Sequence, residues 1–210
     1  MKTKDFLGNE GEICCIIFDF GFTLSSDLYF NVAPPECPDW QNLIQRHIFS
    51  DPVLVDDWMK ADVTLEDIAK RLAPVVCMKI PRIVDFLELG CRNLNFNQAV
   101  LNFAIEQRKQ GRKTAIVTGN MDVFTKIVVP WHHLADKFDG IINSFDHCEI
   151  DKALLWPKAF ELVGNGIGYR QSLLIEDGEK NVAKFREKGG YAYQYSNDEQ
   201  FLRWLKSNGW

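Results

Sequence analysis

Ile13-Cys14-Cys15-Ile16-Ile17-Phe18-Asp19-Phe20-Gly21-Phe22-Thr23-Leu24-Ser25-Ser26 is the stretch on which the reading of this chain turns. Residues 13–18 are apolar without alternation, which suits a strand buried on both faces of a parallel sheet. The run stops at a carboxylate, Asp19, and Gly21 with the Ser25-Ser26 pair then breaks the pattern. The same punctuation returns twice. Residues 113–117 read as a strand stopping at Thr118-Gly119-Asn120, and residues 172–175 as one stopping at Glu176-Asp177-Gly178. Shorter strands are expected at 140–143 and 191–195.

Helical periods fill the intervals. After the first strand, residues 28–96 show no convincing strand. Helices are expected at 40–49, at 64–72 behind a Thr64/Asp67 capping pair, and from Pro81 through Ile83, Phe86 and Leu87. Further on, residues 97–110 read as a helix closed by Gly111. Residues 122–134, 157–163 opened by Pro157, 181–188 and 198–207 complete the series. Strands alternating with helices predict an α/β fold, a doubly wound, Rossmann-like parallel sheet with helices on both faces. Its core would comprise 1–27 and 97–210, with a helical insertion over 28–96.

The 210 residues carry a net charge of −5, which argues against a general nucleic-acid binder, since that needs a basic face to release phosphate counterions. Residues 1–12 are acidic and lack the apolar stretch of a signal peptide, and the longest apolar run is too short to span a bilayer, so a soluble cytoplasmic protein without membrane contact is expected. The six cysteines, at 14, 15, 37, 77, 91 and 148, form no CxxC pair and have no His cluster beside them. They read as reduced core thiols rather than zinc ligands. His132 and His133 are adjacent, cannot share a helical face, and read as surface or helix-end residues.

In an open parallel sheet, ligands bind at the carboxyl ends of the strands. Asp19, Thr118, Glu176 and Asp177 would meet there, with a lysine available between the last two strands. A single Asp behind a strand is usually a turn or cap residue; three strand ends with oxygen-bearing side chains make a site. In this setting Asp19-Phe20-Gly21-Phe22-Thr23 resembles the first motif, Asp-x-Asp-x-Thr, of the haloacid dehalogenase (HAD) superfamily. Val117-Thr118-Gly119-Asn120 resembles its second motif, Lys152 fits the third by spacing, and Ile175-Glu176-Asp177-Gly178 resembles the fourth. The helical insertion falls where that family places a cap. The resemblance covers residues 13–196.

It implies Asp19 as nucleophile toward a small phosphorylated molecule and Mg²⁺ held by Asp19, Asp177, Glu176 and the Gly21 carbonyl. Thr118, Gly119 and Asn120 would hold the phosphoryl oxygens, with Lys152 neutralising their charge. The family follows its lysine with Pro-x-Pro, whereas here the chain reads Lys152-Ala153-Leu154-Leu155-Trp156-Pro157-Lys158. Aligning on Pro157 would put Leu154 in the lysine's place, so Lys158 stays open as the alternative. Gly21 replaces the second Asp of the first motif, the group that protonates the leaving alcohol. Three activities remain compatible with that: a phosphatase, a dehalogenase or phosphonate hydrolase, and a phosphate-binding scaffold without turnover. A phosphonate hydrolase would need a Schiff-base lysine, for which Lys60, Lys70 and Lys79 are available. In the cap, Trp40, Trp58, Phe86 and Arg82 are candidates for substrate contact, although aromatics at helical spacing usually belong to a core.

Overall fold

The computed structural model describes residues 2–4, 10–27, 29–164 and 166–210. Its main sheet has five parallel strands in the order β5-β4-β3-β6-β7: β3 (Cys15–Phe18), β4 (Lys113–Thr118), β5 (Gly140–Asn143), β6 (Ser172–Glu176) and β7 (Tyr191–Gln194). The apolar run ending at Asp19 is the central strand. Phe18 lies level with Ile116 of β4 and with Ile175 of β6. Successive side chains of a strand point to opposite faces, and the core divides accordingly. Ile16, Phe18, Ile116, Leu173 and Ile175 pack on one face, against α5 (Gln98–Lys109) and α11 (Asp198–Ser207). Cys15, Ile17, Ala115, Val117 and Leu174 pack on the other, against α9 (Lys152–Val163) and α10 (Glu179–Glu187). Burial on both faces is what an apolar run without alternation requires. This is the expected doubly wound α/β sheet.

Between β3 and β4 the chain runs through α1 (Trp40–Ile44), which continues as a π-helical turn over Gln45–Phe49, then α2 (Pro52–Met59), α3 (Leu65–Val76) and α4 (Ile80–Arg92). No strand occurs among the described residues here, and Leu28, the expected start of the helical stretch, lies outside them. Asp51 caps α2 by accepting from Leu54 N at 3.2 Å, and Thr64 N–H bonds Asp67 Oδ2 at 3.2 Å ahead of α3. The outgoing and returning chains are laced together: Ser25 Oγ donates to Asn95 O, Asn95 N to Asp27 Oδ2, and Asn97 Nδ2 to Thr23 O, each at 2.7 Å. Gly90 of α4 has a packing reason. A Cβ there would stand 2.5 Å from Phe30 Cα, so only glycine lets these two backbones cross.

Several local expectations are corrected. α9 starts at Lys152, not Pro157, because the Asp151 carboxylate caps it by accepting from Ala153 N at 3.0 Å; Pro157 sits inside the helix. The helix expected over 122–134 takes a π-helical turn at Phe124–Val128 and breaks at His133, whose φ is +53°. The core-thiol reading holds for Cys15, Cys37 and Cys91, whereas Cys77 and Cys148 are exposed. Those two occupy left-handed positions closing helices, where the chain turns outward. A short antiparallel pair, β1 (Lys2–Lys4) with β2 (Glu10–Glu12), had no counterpart in the sequence reading. Among the described residues, no helix is long and apolar enough to cross a membrane.

Candidate active site

Each strand end delivers its polar residue to one edge. Asp19 is the first residue beyond β3, and its N–H still bonds Ile175 O at 3.0 Å, so the neighbouring strand fixes its backbone. Thr118 ends β4 and Glu176 ends β6, with Asp177 next in the chain. Lys152, the first residue of α9, reaches this edge from beneath. Its Nζ lies 2.8 Å from Asp19 Oδ1 and donates to Glu176 Oε2 at 2.7 Å. Lys152 is the only buried lysine among the described residues, while Lys158 points outward. The structure therefore brings Asp19, Lys152, Glu176 and Asp177 together and leaves Lys158 out.

Three carboxylates share this cluster with one ammonium. Burial first, and the charge of Asp19 second, push the Glu176 carboxyl up to about 8 despite the Lys152 ion pair. Asp177 moves up for the same two reasons. Burial works against charge on Lys152 too, but attraction to Asp19 and Glu176 outweighs it, and its pKa rises. The shifts are compatible with one state: Lys152 stays protonated, and Glu176 carries a proton while no further cation neutralises the group.

Asp19, Glu176 and Asp177 each offer an oxygen within 4.8 Å of the others. Asp19 Oδ1 is buried, and its close partner is the Lys152 ammonium at 2.8 Å. A hard divalent cation fits such a set of oxygen donors with excess negative charge, and Mg²⁺ is suited because it is satisfied by a few carboxylates plus waters. Gly21 lies in the turn just beyond, where Leu24 N and Ser25 N both bond Phe20 O.

The loop after β4 is held from β5. Ser144 Oγ accepts from Asn120 N at 2.8 Å and donates to Asn120 O at 2.8 Å, while Asn143 Nδ2 donates to Met121 O at 3.1 Å. The main-chain N–H and C=O of Asn120 are thus both used by the fold. Met59 of α2 leans over Gly119, its sulfur 3.8 Å from where a Cβ would stand. Sequence reasoning missed Asn143 and Ser144, although they end β5 as the other polar residues end theirs.

It also missed Asp122 and Tyr29. Asp122 is buried and accepts from Trp58 Nε1 at 2.8 Å, from Leu65 N at 3.3 Å and from Lys126 Nζ at 3.0 Å, tying α2 and α3 to the sheet. The Tyr29 hydroxyl is buried beside the Asn120 side chain without a well-formed hydrogen bond, and within electrostatic reach of Asp19; burial raises its pKa. Nothing local in the sequence marks Tyr29, which lies in an aperiodic loop. Of the residues expected to contact substrate, Trp40, Trp58 and Phe86 are core, and Arg82 is exposed, pairing with Glu36 and lying over the Phe86 ring. Lys70 pairs with Asp67 in solvent, Lys79 is exposed and Lys60 is half-buried, so none is desolvated as a Schiff-base lysine needs.

No protein-family model and no curated protein sequence matches the chain. Solved structures do. A HAD-family enzyme from Bacteroides thetaiotaomicron, in complex with magnesium and inorganic phosphate, superposes with a TM-score of 0.62 at 15% identity, covering 88% of this chain and 94% of that one. A predicted HAD-like hydrolase from Porphyromonas gingivalis gives 0.65 at 16% identity, covering 94% and 98%. The L-2-haloacid dehalogenase of Xanthobacter autotrophicus, with chloropropionic acid covalently bound, gives 0.61 at 15% identity, covering 93% and 83%. At such identities the likeness is one of architecture: the chain has the fold of the haloacid dehalogenase superfamily.

Proposed function

We propose that the chain is a Mg²⁺-dependent phosphatase acting on a small phosphorylated molecule, with Asp19 as nucleophile. The observation that carries this reading is the Lys152 ammonium, 2.8 Å from Asp19 and 2.7 Å from Glu176, in one cluster with Asp177. Asp19 attacks phosphorus, the ester P–O bond breaks, and an aspartyl phosphate forms that water then clears. Thr118, the Gly119 N–H and the Asn120 side chain hold the phosphoryl oxygens, and Lys152 offsets their charge. Mg²⁺ on Asp19, Asp177, Glu176 and the Gly21 carbonyl would neutralise the repulsion between nucleophile and phosphate. Helices α1–α4 act as the cap that excludes water. The free cysteines suit a reducing compartment, and we place the activity in the cytoplasm.

The second reading is a dehalogenase, favoured by the likeness to the Xanthobacter enzyme and by Gly21. Against it stands the acidic pair Glu176-Asp177, which such chemistry does not need. A panel of phosphorylated metabolites with and without Mg²⁺, run beside Asp19→Asn and a 2-chloropropionate control, separates the two. Phosphate release that needs both Mg²⁺ and Asp19 is expected. Chloride release, or phosphate release surviving Asp19→Asn, would overturn the proposal.

A further inference from the structure

Next to Gly21 lies a cavity of about 300 Å³ that the phosphoryl chemistry does not use; Phe22, Tyr29, Phe30, Ile44 and Phe49 line it with that glycine. Its size is at the lower end for ligand pockets and suits a group of about ten non-hydrogen atoms. The backbone here is held in an unusual shape. Phe22 and Phe30 have φ of +54° and +64°, a region that bulky side chains rarely occupy, and both line the cavity. Such conformations persist where the surroundings enforce them, and they gather at ligand clamps. At Phe30 the enforcing contact is the close crossing with Gly90. Phe22 keeps more than half of its surface exposed, although apolar rings are commonly buried.

Tyr29 joins this cavity to the nucleophile. It lines the cavity, while its buried hydroxyl lies beside the Asn120 side chain without a well-formed hydrogen bond, and within electrostatic reach of Asp19. A buried hydroxyl without a partner is uncommon and calls for one. Among the described residues no lysine or arginine lines the cavity, and the one charged residue there, Asp27, already accepts from Asn95 N and Nδ2.

We propose that this cavity binds the organic part of the phosphate ester, that this part is an uncharged apolar group, aryl or compact alkyl, and that the Tyr29 hydroxyl donates to the ester's oxygens. The inference rests on the reading of Asp19 as a nucleophile toward phosphate and adds the class of substrate. A second anionic group, as in a nucleotide or bisphosphate, would sit beside Asp27 with no cation to meet it. A polyol would lose its water to largely aromatic walls, where beside Tyr29 only the Gln41 and Gln45 side chains can return hydrogen bonds. An aryl or alkyl group loses nothing there and covers Phe22.

Binding of non-hydrolysable phosphonates to the Mg²⁺-loaded protein, measured by calorimetry, tests this without requiring turnover. Benzylphosphonate is expected to bind at least about tenfold tighter than methylphosphonate, from the apolar area that its ring buries. Phe49→Ala should shrink that ratio, with Phe49→Leu as a gentler variant should the first fail to fold. Tyr29→Phe should weaken both phosphonates while keeping their ratio. Equal affinity for the two phosphonates, with inorganic phosphate still bound, would overturn the inference and leave the phosphatase reading standing. Tightest binding of 2-(trimethylammonio)ethylphosphonate would also overturn it, transferring recognition to Asp27. Failure of inorganic phosphate itself to bind would remove the reading beneath it, and the inference with it.

Discussion

Returning a carboxylic acid to position 21 is a perturbation that the geometry admits. A Cβ built on Gly21 meets nothing within 4 Å, and Gly21 is not among the glycines with positive φ. Positioned acid–base groups contribute roughly 10²–10⁴-fold, about 3–5 kcal/mol of barrier. The new carboxyl joins an acidic cluster. At roughly 5–6 Å from Asp19 and an effective dielectric constant of about 20, repulsion amounts to about 3 kcal/mol. That corresponds to a pKa about two units above the ordinary value for Asp, which favours the protonated form that a leaving alkoxide needs. Phenyl and benzyl phosphate have similar bulk, but phenoxide leaves far more readily than benzyl alkoxide. The native protein should therefore turn over phenyl phosphate much faster, and Gly21→Asp should raise kcat for benzyl phosphate by up to about 10²-fold, with little gain for phenyl phosphate. Equal native rates on both esters would mean that another group already supplies the proton, and the reasoning from Gly21 would be wrong.

The remaining predictions concern the cluster and its attachment. Asp177→Ala should abolish Mg²⁺ binding in calorimetry while circular dichroism stays native; unchanged affinity would move the metal elsewhere. Lys152→Met strands the buried Asp19 carboxylate and removes the donor to Glu176, a loss of about 3–5 kcal/mol in urea unfolding. A destabilisation below about 1 kcal/mol would show that this ion pair is not sealed from water. Without Mg²⁺, stability should fall as pH rises from 4.5 to about 8. Folded Glu176 holds its proton up to about 8, whereas the unfolded chain releases it near 4.5, and Asp177 acts with the same sign. Saturating Mg²⁺ should flatten that slope in urea midpoints taken across the range; an already flat curve in chelator would contradict the burial of Glu176. Asp122→Ala leaves the Trp58 indole N–H and the Leu65 amide without their acceptor and should cost about 2–4 kcal/mol by thermal unfolding.

The sheet was legible because burial on both faces leaves its mark on composition. Residues such as Ile16, Ile17, Val117 and Leu174 have no face on which a polar side chain would be tolerated. Asp19, Thr118, Glu176 and Asp177 were legible by contrast, as polar residues where such runs stop. Lys152 was ambiguous because Pro157 mimics a helix start, and only the Asp151 cap reveals the true one. Phe124–Val128 and Gln45–Phe49 keep helical composition while their bonds shift by one residue, a change that no periodicity records. Asp122 acts on Trp58 and Leu65, 64 and 57 residues away, and Tyr29 lies beside Asn120 at another strand end; a linear reading has no access to such distances.

The tether between Asp122 and Trp58 has an optical consequence. The Trp58 indole is fully buried, its N–H bonded to a carboxylate at 2.8 Å and its rings stacked on Phe30 with centroids 5.9 Å apart. Any swing of α2 away from the sheet must exchange that carboxylate for water and unstack the rings. The chain thus carries its own chromophore at the joint between the helices and the sheet. Emission from Trp58, isolated by replacing the exposed Trp131 and the other indoles in turn, would report any displacement of α2 from the sheet in real time without an added label.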